Sequence, residues 1–205
     1  RRFEPISAMD SKSLLKPHVP LLVVTAADDR GPNVMTAAWW MLAGYRPFRY
    51  LLAVDRKTFT HELIEANPEF VLAVPTEDLI DAVAYCGSVS GRDVDKIETL
   101  DLGVNPALEV DVPTLDAALG NIECRVDESF TFGENTYYFG EVAAATVRSG
   151  MLDGRVLRPA ARPLAYMGSD RRGPADEKYR YRLAYADDLE RVPDAELFGD
   201  DGRVE

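Results

Sequence analysis

The residues best suited to binding an anion lie between two predicted helices, over residues 86–96. Serine hydroxyls can donate hydrogen bonds there, and a loop glycine lets backbone N–H groups approach a ligand closely. An arginine and a lysine four positions apart would lie on one face of the following helix, where both could neutralise a phosphate. The alternative is a Gly-Ser connector whose arginine pairs with Asp93 or Asp95. The residues that predict a phosphate site are Ser88, Ser90, Gly91, Arg92 and Lys96.

A second candidate anion site follows a predicted strand, over residues 56–61. Arg56, Thr58 and Thr60 supply a cation and two hydroxyls where a helix begins, and helix N-termini attract anions. Simple capping of the helix by a threonine is the alternative. His61 lies in the same turn, and a lone histidine there is expected to be structural rather than catalytic.

A third segment, residues 33–40, could lie beneath a planar ring. Ala37 and Ala38 are small and stand among polarizable and aromatic neighbours, while Thr36 adds a hydroxyl. Backbone groups of such a strand can meet the polar edge of a heterocycle. A core strand with ordinary packing is the alternative.

Other chemistries find little support in the sequence. The two histidines, His18 and His61, lack the spacing of metal ligands, so no metal site is predicted. There is no Gly-x-Ser-x-Gly motif, and Cys86 matches no cysteine-nucleophile signature. No catalytic residue is therefore assigned, and a bound cofactor is expected to supply the chemistry.

Composition narrows the range of partners. The chain has 205 residues, 46% of them hydrophobic and 28% charged, which is ordinary for a globular protein. Its net charge of −12 argues against nucleic acid and anionic membranes, which reward clustered Lys and Arg. No apolar run approaches a membrane span or a signal peptide, and two cysteines cannot form a disulfide-rich scaffold. These features predict a cytoplasmic location.

Strands are the main elements expected to position the three segments. Six apolar, β-rich runs interleaved with short helices predict a mainly β fold with helical insertions, a closed or split barrel. No strand leads into Gly-x-Gly-x-x-Gly, which argues against a dinucleotide-binding βαβ fold. One domain is expected over residues 15–170, with extensions at 1–14 and 171–205, the latter polar and disordered at its end. The predicted strands cover residues 21–25, 34–41, 50–54, 70–74, 121–132 and 136–148, and the predicted helices cover 62–66, 79–85 and 93–100.

Taken in order, these segments resemble the flavin-reductase-like FMN-binding split-barrel family, particularly its flavoredoxin branch. The resemblance covers residues 15–168, and its last matching segments are Gly140-Glu141-Val142 and Pro163-Leu164-Ala165-Tyr166. It implies a six-stranded antiparallel Greek-key split barrel that forms a homodimer with FMN at the subunit interface.

The resemblance also implies roles for individual residues. Residues 35–39 would line the isoalloxazine ring and ribityl chain. Arg56, Thr58 and Thr60 would hold the phosphate with the 88–92 loop, and Lys96 would contact the phosphate or ribityl chain. The full set of predicted cofactor-binding residues is Asn33, Met35, Thr36, Ala37, Ala38, Trp39, Arg56, Thr58, Phe59, Thr60, Cys86, Ser88, Val89, Ser90, Gly91, Arg92 and Lys96.

The expected activity is transfer of electrons from NAD(P)H to bound FMN and on to an unknown acceptor. One departure puts the NAD(P)H step in doubt. Many members carry Gly-Asp-His before the last strand, with the histidine associated with the nicotinamide, and here the segment reads Gly133-Glu134-Asn135. The alternatives are a non-catalytic FMN electron carrier and a split-barrel binder of another cofactor, such as haem or F420.

Overall fold

A computed structural model describes residues 18–169 and 179–183. Its elements are mostly strands, with short helices between them. The strands are β1 (Leu21–Ala26), β2 (Pro32–Ala37), β3 (Trp40–Tyr45), β4 (Phe48–Asp55), β5 (Glu69–Val74), β6 (Val104–Asn105), β7 (Thr114–Leu115), β8 (Gly120–Phe132), β9 (Asn135–Val147), β10 (Leu152–Asp153), β11 (Val156–Leu157), β12 (Leu164–Ser169) and β13 (Tyr179–Leu183). The α-helices are α1 (Phe59–Ala66), α2 (Ile80–Cys86) and α3 (Lys96–Thr99), and 3₁₀ turns cover Asp28–Arg30, Glu77–Leu79 and Pro159–Ala161.

Seven strands form one antiparallel sheet in the order β2-β1-β5-β8-β9-β4-β3. The predicted class, mainly β and antiparallel, is confirmed, but the sheet has one strand more than predicted. The difference arises at residues 34–41, which were predicted as one strand but belong to two strands that pair with different neighbours. β2 ends where Ala37 pairs with Leu21 of β1, and β3 begins where Trp40 pairs with Leu52 of β4.

Buried side chains lie on both faces of the central strands. On β1, Leu22 and Val24 belong to one apolar cluster, while Leu21 and Val23 belong to a second on the opposite face. Because successive side chains of a strand point to opposite faces, a strand covered on both sides becomes a continuous apolar run. This explains why the 21–25 run was recognisable in the sequence.

The helices begin at capping residues that differ in part from the expected ones. Thr58 Oγ1 accepts a hydrogen bond of 3.2 Å from the His61 backbone N–H, so the predicted threonine cap of α1 is confirmed. Asp95 caps α3 by accepting two backbone N–H bonds, which delays the start of the helix to Lys96. Arg92 therefore lies in a turn, and the expectation that it shares a helix face with Lys96 is wrong.

An apolar surface covers the outer side of β3, β4, β9 and β8. The register pairs Met41 with Leu51, Leu51 with Phe139, and Tyr137 with Phe130, and directly paired side chains share a face of the sheet. Phe130 and Tyr137 stack at 4.9 Å between ring centroids. We call this surface the outer apolar face; it comprises Met41, Leu51, Phe130, Phe132, Tyr137 and Phe139.

β13, within the predicted C-terminal extension, pairs with β12. The rest of that extension and the predicted N-terminal extension, 1–14, lie outside the described residues. No helix in the described part of the chain is long and apolar enough to cross a membrane.

Candidate functional site

A cavity of about 390 Å³ lies between β2, the N-terminus of α1 and the loop that joins α2 to α3. All three segments singled out in the sequence contribute to its wall. The predicted residues that line it are Asn33, Met35, Thr36, Thr58, Phe59, Thr60, Cys86, Ser88, Val89, Ser90, Gly91, Arg92 and Lys96.

Four predicted residues lie outside this wall. Ala37 is buried in the core, and Ala38 and Trp39 occupy the break between β2 and β3, where Trp39 is 61% exposed. Arg56 is exposed, and its backbone N–H donates to the carbonyl of Glu134. Residues 35–39 were predicted to line the cofactor as one continuous segment, whereas β2 ends at Ala37 and the chain leaves the cavity wall there.

Two cavity residues, Lys57 and Gly87, were missed. Both are neighbours of predicted residues. Lys57 supplies the cation that the sequence assigned to Arg56 one position earlier, and only the direction of the chain in the turn distinguishes them. Gly87 follows the last residue of α2 and lies close to β2, where an added Cβ would be 3.3 Å from the Thr36 Cβ.

A buried hydrogen bond connects two of the segments across the cavity wall. The Asn33 side chain donates from Nδ2 to Thr60 Oγ1 at 3.1 Å, and both residues are buried. Gly91 packs against this pair, and a Cβ there would collide with the Asn33 amide and the Phe59 ring. The glycine therefore lets the 88–92 loop lie close to β2 and α1.

Thr36 attaches α2 to β2. Its hydroxyl donates to the carbonyl of Val83 at 2.6 Å. The hydroxyl proton is thus already used, so Thr36 Oγ1 faces a ligand as an acceptor.

Lys96 places a buried ammonium group in the wall. It is 4% exposed, and Nζ donates to the carbonyls of Val34, at 2.8 Å, and Cys86, at 3.2 Å. Burial lowers the pKa of Lys96, because a desolvated ammonium is disfavoured. Of its three N–H groups, the third remains for a ligand.

Cys86 contributes a neutral thiol. Burial raises its pKa to about 11, although the nearby Lys96 favours the thiolate. A thiol with this pKa is protonated at neutral pH and is a poor nucleophile.

The 88–92 loop is held by its own side chains and by α1. Ser88 Oγ donates to the Tyr85 carbonyl at 2.9 Å, and Ser90 Oγ accepts from the Arg92 backbone N–H at 3.2 Å. Arg92 does not pair with Asp93 or Asp95. It forms an ion pair with Glu62 of α1, Nη2 to Oε1 at 2.6 Å.

The wall combines positive charge with apolar surface. Lys57, Arg92 and Lys96 carry the charge, and the N-terminal backbone N–H groups of α1 add to it. Met35 and Val89 provide apolar surface. An anionic group and a flat apolar group could therefore bind together here.

Groups able to move protons are scarce around this cavity. Neither carboxyl nor imidazole side chains occur among its lining residues. His61, whose Nε2 shares a 2.9 Å hydrogen bond with Thr136 Oγ1, is held outside the wall. The described residues contain no group of three or more His, Cys, Asp or Glu side chains placed to hold a metal ion.

Solved structures share this architecture. An FMN-binding protein from Thermus thermophilus, solved with 1-cyclohex-2-enone, superposes with a TM-score of 0.74 and 25% identity, covering 91% of this chain and 99% of that one. A flavoredoxin from Methanosarcina acetivorans superposes with a TM-score of 0.77 and 22% identity, covering 96% and 99%. The predicted resemblance to flavoredoxins is thus confirmed at the level of the fold.

Sequence comparison gives the family. An uncharacterised protein of Pyrococcus abyssi is 33% identical over 146 residues, which are 71% of this chain and 83% of that protein. Residues 17–174, more than half of the chain, match the family described as "Flavin reductase like domain". The chain therefore belongs to the flavin reductase like family.

Proposed function

We propose that the chain binds FMN in this cavity and transfers electrons from NAD(P)H through the flavin to an acceptor. The observation that carries the proposal is the meeting of three separate segments at one wall that is cationic and also apolar. Membership of the flavin reductase like family supports it, as does the similarity to an FMN-binding protein of Thermus thermophilus.

The residues of the wall fit the two ends of FMN. Thr60 and the free backbone N–H groups at the positive end of α1 would hold the phosphate together with Arg92, whereas the Thr58 hydroxyl already donates to the Asp55 carbonyl at 2.8 Å. Met35 and Thr36 would lie against the ring and the ribityl chain, and the spare N–H of Lys96 would donate to either. When bound, the isoalloxazine ring supplies the redox chemistry. The chain's own residues bind it, orient it and exclude water from one side.

A non-catalytic FMN electron carrier is the second candidate. Two observations favour it. Asn135 stands where many reductases of this family carry the nicotinamide-associated histidine, and the cavity wall lacks an imidazole. Consumption of NADH or NADPH in the presence of FMN and oxygen separates a reductase from a carrier.

We further propose that the active form is a homodimer with FMN at the interface. The outer apolar face supports this, because Phe132 is 74% and Met41 is 56% exposed in the single chain. Contiguous exposed apolar surface of this kind is typical of a protein–protein interface. The face also extends along β4 and β9 to the turn beside Lys57, whose Nζ lies 3.7 Å from Glu134.

The phosphate assignment is tested by the double variant Thr60→Ala/Arg92→Ala. It removes a hydroxyl and a cation from the proposed phosphate site, so FMN affinity, measured by quenching of flavin fluorescence, should fall at least about a hundredfold. The control Thr146→Ala/Arg155→Ala removes the same groups from exposed positions away from the cavity and should bind like wild type. If the double variant folds and keeps wild-type affinity, the assignment is wrong.

A further inference from the structure

The guanidinium of Arg92 contacts both α1 and the turn before it. Nη2 lies 2.6 Å from Glu62 Oε1, and Nη1 donates to the carbonyl of Lys57 at 2.9 Å. Cζ lies 5.8 Å from the centre of the Phe59 ring, within the range of a cation–π contact. The side chain therefore bridges the 88–92 loop and α1 at the edge of the cavity.

Glu62 occupies a position that also suits a ligand anion. It lies in the first turn of α1, where a negative charge is favoured by the helix N-terminus. The hydrogen bond from Arg92 lowers the pKa of Glu62, so the side chain is ionised at neutral pH. Glu62 and a bound phosphate would thus draw on the same cation and the same helix terminus.

We propose that Glu62 competes with the flavin phosphate for Arg92 and thereby limits the affinity of the cavity for phosphate-bearing flavins. This inference rests on the proposed function. Arg92 has five N–H donors, and the one on Nη2 that binds the Glu62 carboxylate is not available to a phosphate.

The remaining contacts of Arg92 determine the sign of the effect. Without the carboxylate, the Lys57 carbonyl and the Phe59 ring still hold the guanidinium beside the cavity. Arg92 then keeps its place and gains free donors. Neutralising Glu62 should therefore tighten FMN binding rather than weaken it.

The test compares FMN with riboflavin, which has the same ring and ribityl chain but no phosphate. We expect Glu62→Gln to raise FMN affinity about three- to tenfold at low salt and to change riboflavin affinity less than about twofold. The control Glu98→Gln removes one negative charge from an exposed position on α3. It should leave both affinities unchanged.

A double-mutant cycle with Arg92→Gln separates competition from simple repulsion. If Glu62 acts through Arg92, the gain from Glu62→Gln disappears in the Arg92→Gln background. The proposal is overturned if Glu62→Gln binds FMN no more tightly than wild type, if riboflavin gains equally, or if the gain persists without Arg92. Wild-type protein that binds neither flavin would overturn the proposed function itself, and the competition with it.

Discussion

Burial shifts the pKa values of two neighbouring cavity residues in opposite directions. The ammonium of Lys96 and the thiol of Cys86 are both desolvated, which lowers the pKa of the first and raises that of the second. Both shifts disfavour the charged form. The wall beside the proposed ring position therefore holds a neutral thiol and a cation whose partners are backbone carbonyls.

The Cys86 thiol should make stability depend on pH in the alkaline range. Its pKa is raised from 9.0 to about 11. The unfolded chain releases this proton near pH 9 while the folded chain retains it, so the stabilisation is complete below pH 9 and is lost as pH rises towards 11. At pH 10 the loss should be about 1 kcal/mol.

Urea unfolding of wild type and Cys86→Ala at pH 8 and pH 10 measures this loss. The variant lacks the thiol, so the difference in unfolding free energy between the two proteins should shrink by about 1 kcal/mol at the higher pH. Other alkaline titrations affect both proteins and cancel in the comparison. An equal difference at both pH values would contradict the prediction.

At the residue scale, the sequence located the cavity better than it located the partners within it. Ser88, Ser90 and Gly91 were recognisable because loop chemistry is local in the chain. The partner of Arg92 was not, since Glu62 lies 30 positions away and is brought near only by the fold. Lys57 was overlooked because a one-residue choice within a turn depends on backbone direction.

Among the elements of the fold, the segment between β6 and β7 is held against the sheet by carboxyl groups of β8 and β5. Glu123 of β8 is 0% exposed, and it accepts backbone N–H bonds from Leu108 and Glu109 at 2.7–3.1 Å. Glu69 of β5 accepts another from Asp111 at 2.7 Å. The segment between β6 and β7 is irregular, and these carboxylates accept hydrogen bonds from backbone N–H groups that have no partner in a helix or a sheet.

Replacement of Glu123 should destabilise the fold without affecting the cavity. In Glu123→Gln the buried charge that accepts these backbone N–H bonds is lost and an amide NH2 group would face a backbone N–H donor, at a cost of about 1–3 kcal/mol in unfolding free energy. Urea unfolding measures the loss, and FMN binding should persist because Glu123 does not line the cavity. Glu128→Gln, on the exposed part of the same strand, is the control and should change stability by less than about 0.5 kcal/mol.

The strand break at Ala38 and Trp39 shows where prediction of elements ends. Residues 34–41 contain no glycine or proline that would mark a break, so the sequence predicts one strand. The structure has two, because β2 pairs with β1 and β3 pairs with β4. Pairing between distant strands is a property of the sheet and leaves no local signal in the residues that change partner.

For the whole molecule, the main unexplained feature of the single chain is its outer apolar face. Apolar, β-rich runs predict a mainly β fold, and the family resemblance implies that its strands are antiparallel. The sequence did not show which strand faces lie side by side, because that follows from the sheet order. Once the order is known, apolar side chains from four strands form one surface, and a second copy of the chain is the proposed occupant.

A charge introduced on this surface should separate the proposed dimer. In Met41→Glu/Phe132→Glu, two carboxylates would have to be desolvated at the interface, so sedimentation should show a monomer that still unfolds cooperatively. FMN affinity should fall when the dimer separates, because the proposed site lies at the interface. Leu108→Glu is a matched control, since Leu108 is 69% exposed but lies outside the outer apolar face. The assignment of this face would be contradicted by a wild-type protein that is monomeric or by a double variant that remains dimeric. A monomeric variant that binds FMN with unchanged affinity would show that one chain completes the site.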